Sequence, residues 1–203
     1  MSTTIRFVTL SLAAALAGCA ATTPTREMSS GYAIIDIRGG QEIGHARIAE
    51  AVRTALQKNT TAVRLHNGIP PSPLPEKAPR FQLVSPFKGS ALGALAASSG
   101  QNMQVPTCEG AILVANAADT SKVRYGESTT FFACVMPYAG GWSLNVYTTF
   151  DKASGAFNAA TLGATLARTV VGDSSQFIPR TIASMVEALN ATGARATVVE
   201  SYP

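Results

Sequence analysis

Apolar positions along the chain recur with two different spacings, and these spacings predict strands and helices. Runs typical of strands lie at residues 31–37, 62–65, 81–84, 110–116, 129–136, 143–150 and 196–202. Spacing typical of helices is found at residues 43–59, 88–98, 159–171 and 178–189. This order predicts an α+β or α/β fold, in which a mixed β-sheet is covered by about three to four helices.

The middle of the chain predicts an antiparallel meander. Two strand-like runs flank a polar connection at residues 118–122, and the segment 138–142 turns the chain into a third run. If Ser121 is the centre of the first hairpin, Leu113 lies opposite Thr129 and Cys108 lies opposite Cys134. The expected core of the domain is therefore three antiparallel strands in sequence order.

Three further segments carry specific expectations. Residues 62–65 would return parallel to the first strand and complete a β-α-β start. The proline-rich segment 69–75 cannot donate a regular hydrogen-bond ladder, so we expect it to be exposed and polyproline-like. Small residues at Gly89, Gly93 and Ala97 would form a flat helical seam, which favours close packing inside the domain over a membrane or assembly contact.

The N-terminus has the pattern of an export signal. A basic Arg6 precedes an apolar stretch, residues 7–17, which is too short to span a bilayer comfortably. The stretch closes with Leu16-Ala17-Gly18-Cys19, which resembles the lipobox of bacterial lipoproteins. The resemblance implies cleavage before Cys19 and attachment of a diacylglyceryl thioether and an amide-linked acyl chain to that residue.

The same resemblance predicts where the protein resides and how it is divided. Lipoproteins retained in the inner membrane tend to carry Asp directly after the modified cysteine, whereas this chain has Ala20. We therefore expect an outer-membrane lipoprotein that faces the periplasm. Residues 1–18 would be the signal peptide, residues 19–30 a lipid-anchored flexible tether, and residues 31–203 a single globular periplasmic domain.

Charge and cysteine content narrow the function classes further. The formal net charge is +4, and the cationic residues are scattered singly, so no basic stripe supports nucleic-acid binding. With Cys19 used for lipid, Cys108 and Cys134 remain as a pair in an oxidising compartment, and we expect them to form a disulfide. Their spacing does not fit a redox-active or zinc-binding Cys-x-x-Cys motif.

Motifs for catalysis are incomplete. Residues 39–46 have the glycine spacing of a phosphate loop, but His45-Ala46 replaces the lysine and hydroxyl residue that bind phosphate and magnesium. Residues 171–175 resemble a Gly-Asp-Ser esterase block, yet no histidine follows His66. Asp36 beside Arg38, or Glu42 with Glu50, could supply a carboxylate pair, although such residues are common on exposed faces. We expect no metal and no cofactor.

Two functions follow from these observations. The leading hypothesis is a non-catalytic binding or assembly module of the bacterial cell envelope, anchored in the bilayer through acylated Cys19 and contacting an envelope protein. The alternative is a periplasmic hydrolase that acts on envelope glycan or ester substrates. For the first hypothesis, the candidate partner contact is the hairpin tip formed by Tyr138, Gly140, Gly141 and Trp142.

Overall fold

The structure is a computed structural model that describes residues 25–39, 43–98, 104–154 and 176–202. Its strands are β1 (Thr25–Arg38), β2 (Ala62–Asn67), β3 (Gln82–Val84), β4 (Val105–Thr107), β5 (Leu113–Asp119), β6 (Glu127–Tyr138), β7 (Gly141–Ser154) and β8 (Arg195–Tyr202). Its α-helices are α1 (His45–Asn59), α2 (Ala91–Ser98) and α3 (Phe177–Asn190), and a 3-10 turn spans Val123–Tyr125.

Six strands form one sheet in the order β2-β5-β6-β7-β1-β8, and β3 and β4 form a separate two-stranded sheet. Every pair of hydrogen-bonded neighbours in the described chain is antiparallel. The fold is therefore α+β, and the α/β alternative is wrong. The central meander is confirmed as β5, β6 and β7. The helix predicted at residues 159–171 lies outside the described residues.

The start of the chain differs from the expected β-α-β unit in two ways. Strand β2 is not a neighbour of β1, because β7 and β8 occupy the two edges of β1. Strand β1 also begins at Thr25, inside the segment expected to be a tether, and pairs there with Ser154 at the end of β7. Residues 25–30 belong to the strand because the long β7 offers an unbroken ladder to them.

The first hairpin of the meander has a different register from the one predicted. Leu113 pairs with Val135, and Thr129 pairs with Asp119. The strand β5 runs further than expected, and the connection contains the 3-10 turn, so the centre of the hairpin lies beyond Ser121. Cys108 is not in β5 at all and approaches β6 from the end of β4.

Helices α1 and α3 pack against one face of the sheet, called here the helix face. The stripe predicted for α1 is confirmed, since Ile48, Val52 and Leu56 are fully buried. In α3, Met185 and Leu189 are buried in the same way, and Pro179 falls in the first turn, where a missing N–H is tolerated. These side chains meet an apolar layer from the sheet, which contains Ile35, Ile37, Leu113, Phe131, Val135, Leu144 and Val146.

The opposite face, called the second face, is covered by irregular chain. The strap, residues 69–81, crosses this face, with Pro75 O accepting from the backbone N–H of Ala139 and Phe81 packing against Tyr32 and Tyr147. The flap, made of β3, α2 and β4, follows the strap. No helix in the described ranges is long and apolar enough to cross a membrane.

The described side chains of helix α2 do not show the close packing inside the domain that the seam predicts. Leu92 and Leu95 are 62% and 66% exposed. At Gly93 a Cβ would lie 2.1 Å from the carbonyl oxygen of Phe87, so this glycine serves a close contact with the preceding turn and not with another helix. The side chains of Leu92 and Leu95 consequently face solvent.

Candidate functional site

A row of polar side chains along the second face holds the strap on the sheet. Asn145, at the centre of β7, is fully buried. Its side-chain oxygen accepts from the backbone N–H of Phe81 at 3.1 Å, and its amide nitrogen donates to Pro79 O at 3.3 Å and to Ser143 Oγ at 2.8 Å. Buried amides of this kind are stable only when their donors and acceptors are satisfied. Asn145 is therefore a structural anchor for the strap.

A charged group fastens the same strap to β8. Arg80 donates to the Glu200 carboxylate, and the Tyr32 hydroxyl donates to it at 2.7 Å. The hydrogen bond from Arg80, followed by that from Tyr32, lowers the pKa of Glu200 to about 2. The hydrogen bond to Glu200 in turn raises the pKa of Tyr32. Glu200 is ionised at neutral pH, and both its oxygens are engaged.

Asp36, the candidate catalytic carboxylate from the sequence, lies in a pocket of about 400 Å³ between β1 and the strap. Its two oxygens accept from Tyr138 Oη and from Arg38 Nε, each at 2.6 Å. Burial opposes ionisation of Asp36, but these two hydrogen bonds outweigh it and lower the pKa of the carboxyl. Burial and the bond to Asp36 raise the pKa of Tyr138. A general base works best when its pKa lies near the working pH, whereas the pKa of Asp36 is shifted in the opposite direction.

The other candidate acid–base groups are not brought together with Asp36. Glu50 lies on the exposed side of α1 and pairs with Arg53, on the helix-face side of the sheet, while Glu42 lies outside the described residues. His45 begins α1, where its Nδ1 accepts from Trp142 Nε1 at 3.1 Å. His66 is exposed on the edge strand β2.

The structure describes neither of the two sequence motifs considered for catalysis completely. Residues 40–42 of the glycine-rich segment and residues 171–175 of the esterase-like block lie outside the described residues. In the part of the chain that the structure describes, no three His, Cys, Asp or Glu side chains cluster as metal ligands would. The absence of a metal and a cofactor stays a prediction.

The two aromatic side chains of the predicted partner contact at the hairpin tip are buried. Tyr138 is 5% exposed and Trp142 is 2% exposed, because the first bonds to Asp36 and the second packs into the helix-face core beside His45. A Cβ at Gly140 would lie 2.5 Å from the Tyr138 ring, and one at Gly141 would lie 2.2 Å from the backbone oxygen of Ile37. Tyr138, Gly141 and Trp142 thus serve internal packing, whereas Gly140 is exposed.

The open feature of the second face is a groove of about 540 Å³ between the main sheet and the flap. Its floor contains Phe132 and Tyr147, its wall contains Val105, and Arg64 of β2 lies at its border. Sequence reasoning missed this groove. The signal that could have revealed it is that Phe132 and Tyr147 occupy strand positions that alternate with residues of the helix-face core.

The flap is fixed to the sheet beside the groove by the cysteine pair. Cys108, directly after β4, is bonded to Cys134 of β6, with a Cα–Cα distance of 6.4 Å. The predicted pairing is compatible with this geometry, although the two residues do not lie opposite each other in one hairpin. Cys19, the predicted lipidation site, lies outside the described residues.

Comparison with known proteins does not place the chain in a family. No protein-family model matches it, and no curated protein matches it significantly.

Proposed function

We propose that the protein is a non-catalytic binding module of the bacterial cell envelope, anchored to the outer membrane through acylated Cys19 and facing the periplasm. Its partner is an extended segment of an envelope protein that lies in the groove between the sheet and the flap. The observation that carries this proposal is the groove itself, which presents Phe132 and Tyr147 beside the edge strand β2.

The state of the polar groups on the second face supports binding over catalysis. The carboxylates of Asp36 and Glu200 have both oxygens engaged, and their pKa values are lowered, so neither is poised to take up a proton near neutral pH. Asn145 is used to hold the strap. Asp36, Glu200 and Asn145 are thus engaged in structural contacts, whereas the groove remains open.

The position of β2 supports an extended occupant. Within the described chain, β2 pairs only with β5, so its outer backbone edge is unpaired. An extended segment can add to such an edge through backbone hydrogen bonds, while alternate side chains enter neighbouring pockets. Ala62 and Arg64 of β2 both border the groove, which places the edge and the pocket within reach of one segment.

Photo-crosslinking in cells tests this contact. A photoreactive residue at Arg64 or Thr130, both exposed at the groove, should trap one protein at the same partner segment, identified by mass spectrometry. The control position is Gln57, which is exposed on α1 at the other side of the sheet. Equal trapping from Gln57, or adducts scattered over many proteins, would contradict the proposal.

A pair of charge substitutions separates the groove from the rest of the surface. Val105→Glu places a carboxylate on the groove wall, and we expect it to reduce the specific adduct at least about tenfold, because burying an unpaired charge costs several kcal/mol. Val123→Glu is the matched control, since Val123 is exposed and is not part of the groove lining. Thermal melting of both variants excludes loss of folding as the cause.

The anchor is tested separately. Cys19→Ser cannot form the thioether, so the protein should carry no acyl chains and should be either soluble or an uncleaved precursor. An unmodified Cys19 in membrane-associated wild-type protein, shown by mass spectrometry, would refute the anchoring step.

The hydrolase alternative would gain support if Asp36→Asn, or His45→Gln with His66→Gln, abolished function at normal abundance and unchanged melting temperature.

A further inference from the structure

The tip of the flap is an apolar surface without a partner in the described chain. Among the described residues of the flap, five large apolar side chains are exposed: Leu83, Val84, Phe87, Leu92 and Leu95. Helix α2, which carries the last two, contains no charged residue, and its described hydrogen bonds stay within its own segment. Several large apolar side chains exposed on one segment are typical of an interaction surface.

The flap points toward the end of the sheet at which β1 begins. Phe81 packs against Tyr147, and β3 then continues to Val84, which pairs with Val105. Val105 lines the groove together with Thr149, which pairs with Ser30 of β1. Strand β3 therefore runs from the level of Tyr147 toward the end of the sheet at which β1 begins.

The charge of this region suits an anionic surface. Between Glu76 and Glu109 the sequence contains Lys77, Arg80 and Lys88 and no acidic residue. Arg80 is paired with Glu200, whereas Lys88 is exposed three residues before α2 begins at Ala91. A cation beside exposed leucines is the combination that favours binding at the headgroup region of a bilayer.

The predicted lipid anchor brings the same end of the domain close to the bilayer. Only residues 20–24 separate Cys19 from Thr25. Six residue steps span at most about 20 Å when fully extended. With β1 starting this close to the membrane, an apolar tip that projects toward the same end can reach the bilayer surface.

We propose that the tip of the flap docks on the lipid bilayer, with Leu92 and Leu95 in the headgroup and upper acyl region and Lys88 beside anionic headgroups. This proposal rests on the lipid anchor of the proposed function. The contact is interfacial, since α2 has eight residues and is far too short to span.

The test places a photoreactive residue at Leu92 or Leu95 in the full-length protein in cells, with Ile69 as the matched control. Ile69 is 88% exposed and follows Gly68, whose N–H bonds to Ile112 O near the other end of the sheet. We expect phospholipid adducts, identified by mass, from positions 92 and 95 and none from Ile69. The mass of the Cys19 peptide from the same membranes reports the anchor independently.

Each outcome decides the matter. Adducts to a protein or to a second copy at positions 92 and 95, or reaction with water alone, would overturn bilayer docking. If Cys19 is acylated in the same sample, the lipid anchor is still supported. Unmodified Cys19 would instead overturn the anchor. Leu95→Ser should lower the equilibrium constant for docking, and with it the ratio of lipid adduct to water adduct at position 92, by about tenfold, because burying one leucine is worth that factor or more. An unchanged ratio would refute insertion of Leu95.

Discussion

Replacement of Asn145 by alanine should release the strap from the second face. In the folded protein the Asn145 side chain makes three hydrogen bonds, with the Phe81 N–H, the Pro79 carbonyl and Ser143 Oγ. The side chain is fully buried, so water does not replace these bonds while the strap stays in place. Asn145→Ala therefore leaves a donor and an acceptor of the strap without partners.

The expected magnitude follows from these contacts. A typical intramolecular hydrogen bond contributes about 1 kcal/mol net, and a buried group left unsatisfied costs about 1 to 3 kcal/mol. We therefore expect Asn145→Ala to lower the free energy of unfolding by about 2 to 4 kcal/mol. Ser143→Ala is the control, because it removes only the Asn145–Ser143 bond of this set and should cost about 1 kcal/mol.

Urea denaturation measures the stability difference, and amide hydrogen exchange localises it. In Asn145→Ala the Phe81 amide should exchange faster, while the Ile112 amide, which donates to Val135 O at 2.8 Å within the meander, keeps its relative protection. The reasoning is refuted if Asn145→Ala costs no more than Ser143→Ala, or if exchange at the Phe81 amide does not change.

Three further predictions concern stability and its pH dependence. Cys108→Ser should lower the free energy of unfolding by about 2 to 4 kcal/mol in oxidising buffer, and the difference from wild type should vanish in a reductant. Because the pKa of Glu200 is lowered from 4.5 to about 2, its ion pair stabilises the fold above pH 4.5, and this contribution is lost as the pH falls toward 2. Strap proteolysis should therefore rise over that range in wild type and not in Glu200→Gln. Trp142→Ala should cost about 3 to 5 kcal/mol in urea titrations, and an unchanged stability would restore the hairpin tip as an exposed contact.

The local patterns of the sequence predict most of the elements but not their pairing. The apolar stripe of α1 and the glycine turn between β6 and β7 both appear where periodicity places them. The predicted register of β5 against β6 is wrong by six residues, since Leu113 pairs with Val135 and not with Thr129. A shift by an even number keeps every side chain on its predicted face, so period-two alternation cannot detect it.

The candidate site was harder to predict because its contacts are distant in sequence. Asn145 reads locally as a polar position on an exposed strand face, and only the crossing of the strap buries it. Tyr138 and Trp142 flank a turn, which suggested exposure, but Asp36 and His45 come from β1 and α1 to cover them. Burial at such positions depends on long-range packing, which no local pattern encodes.

The place of β1 in the sheet also determines when the fold can be completed. Both partners of β1 come late in the chain, β7 at Gly141–Ser154 and β8 at Arg195–Tyr202. A chain that emerges from its N-terminus must therefore keep the apolar run of β1 unpaired until these strands arrive. Unpaired apolar strands favour aggregation, and non-local pairing is slow. Assembly of the sheet should depend on protection of β1 until the C-terminal residues have emerged.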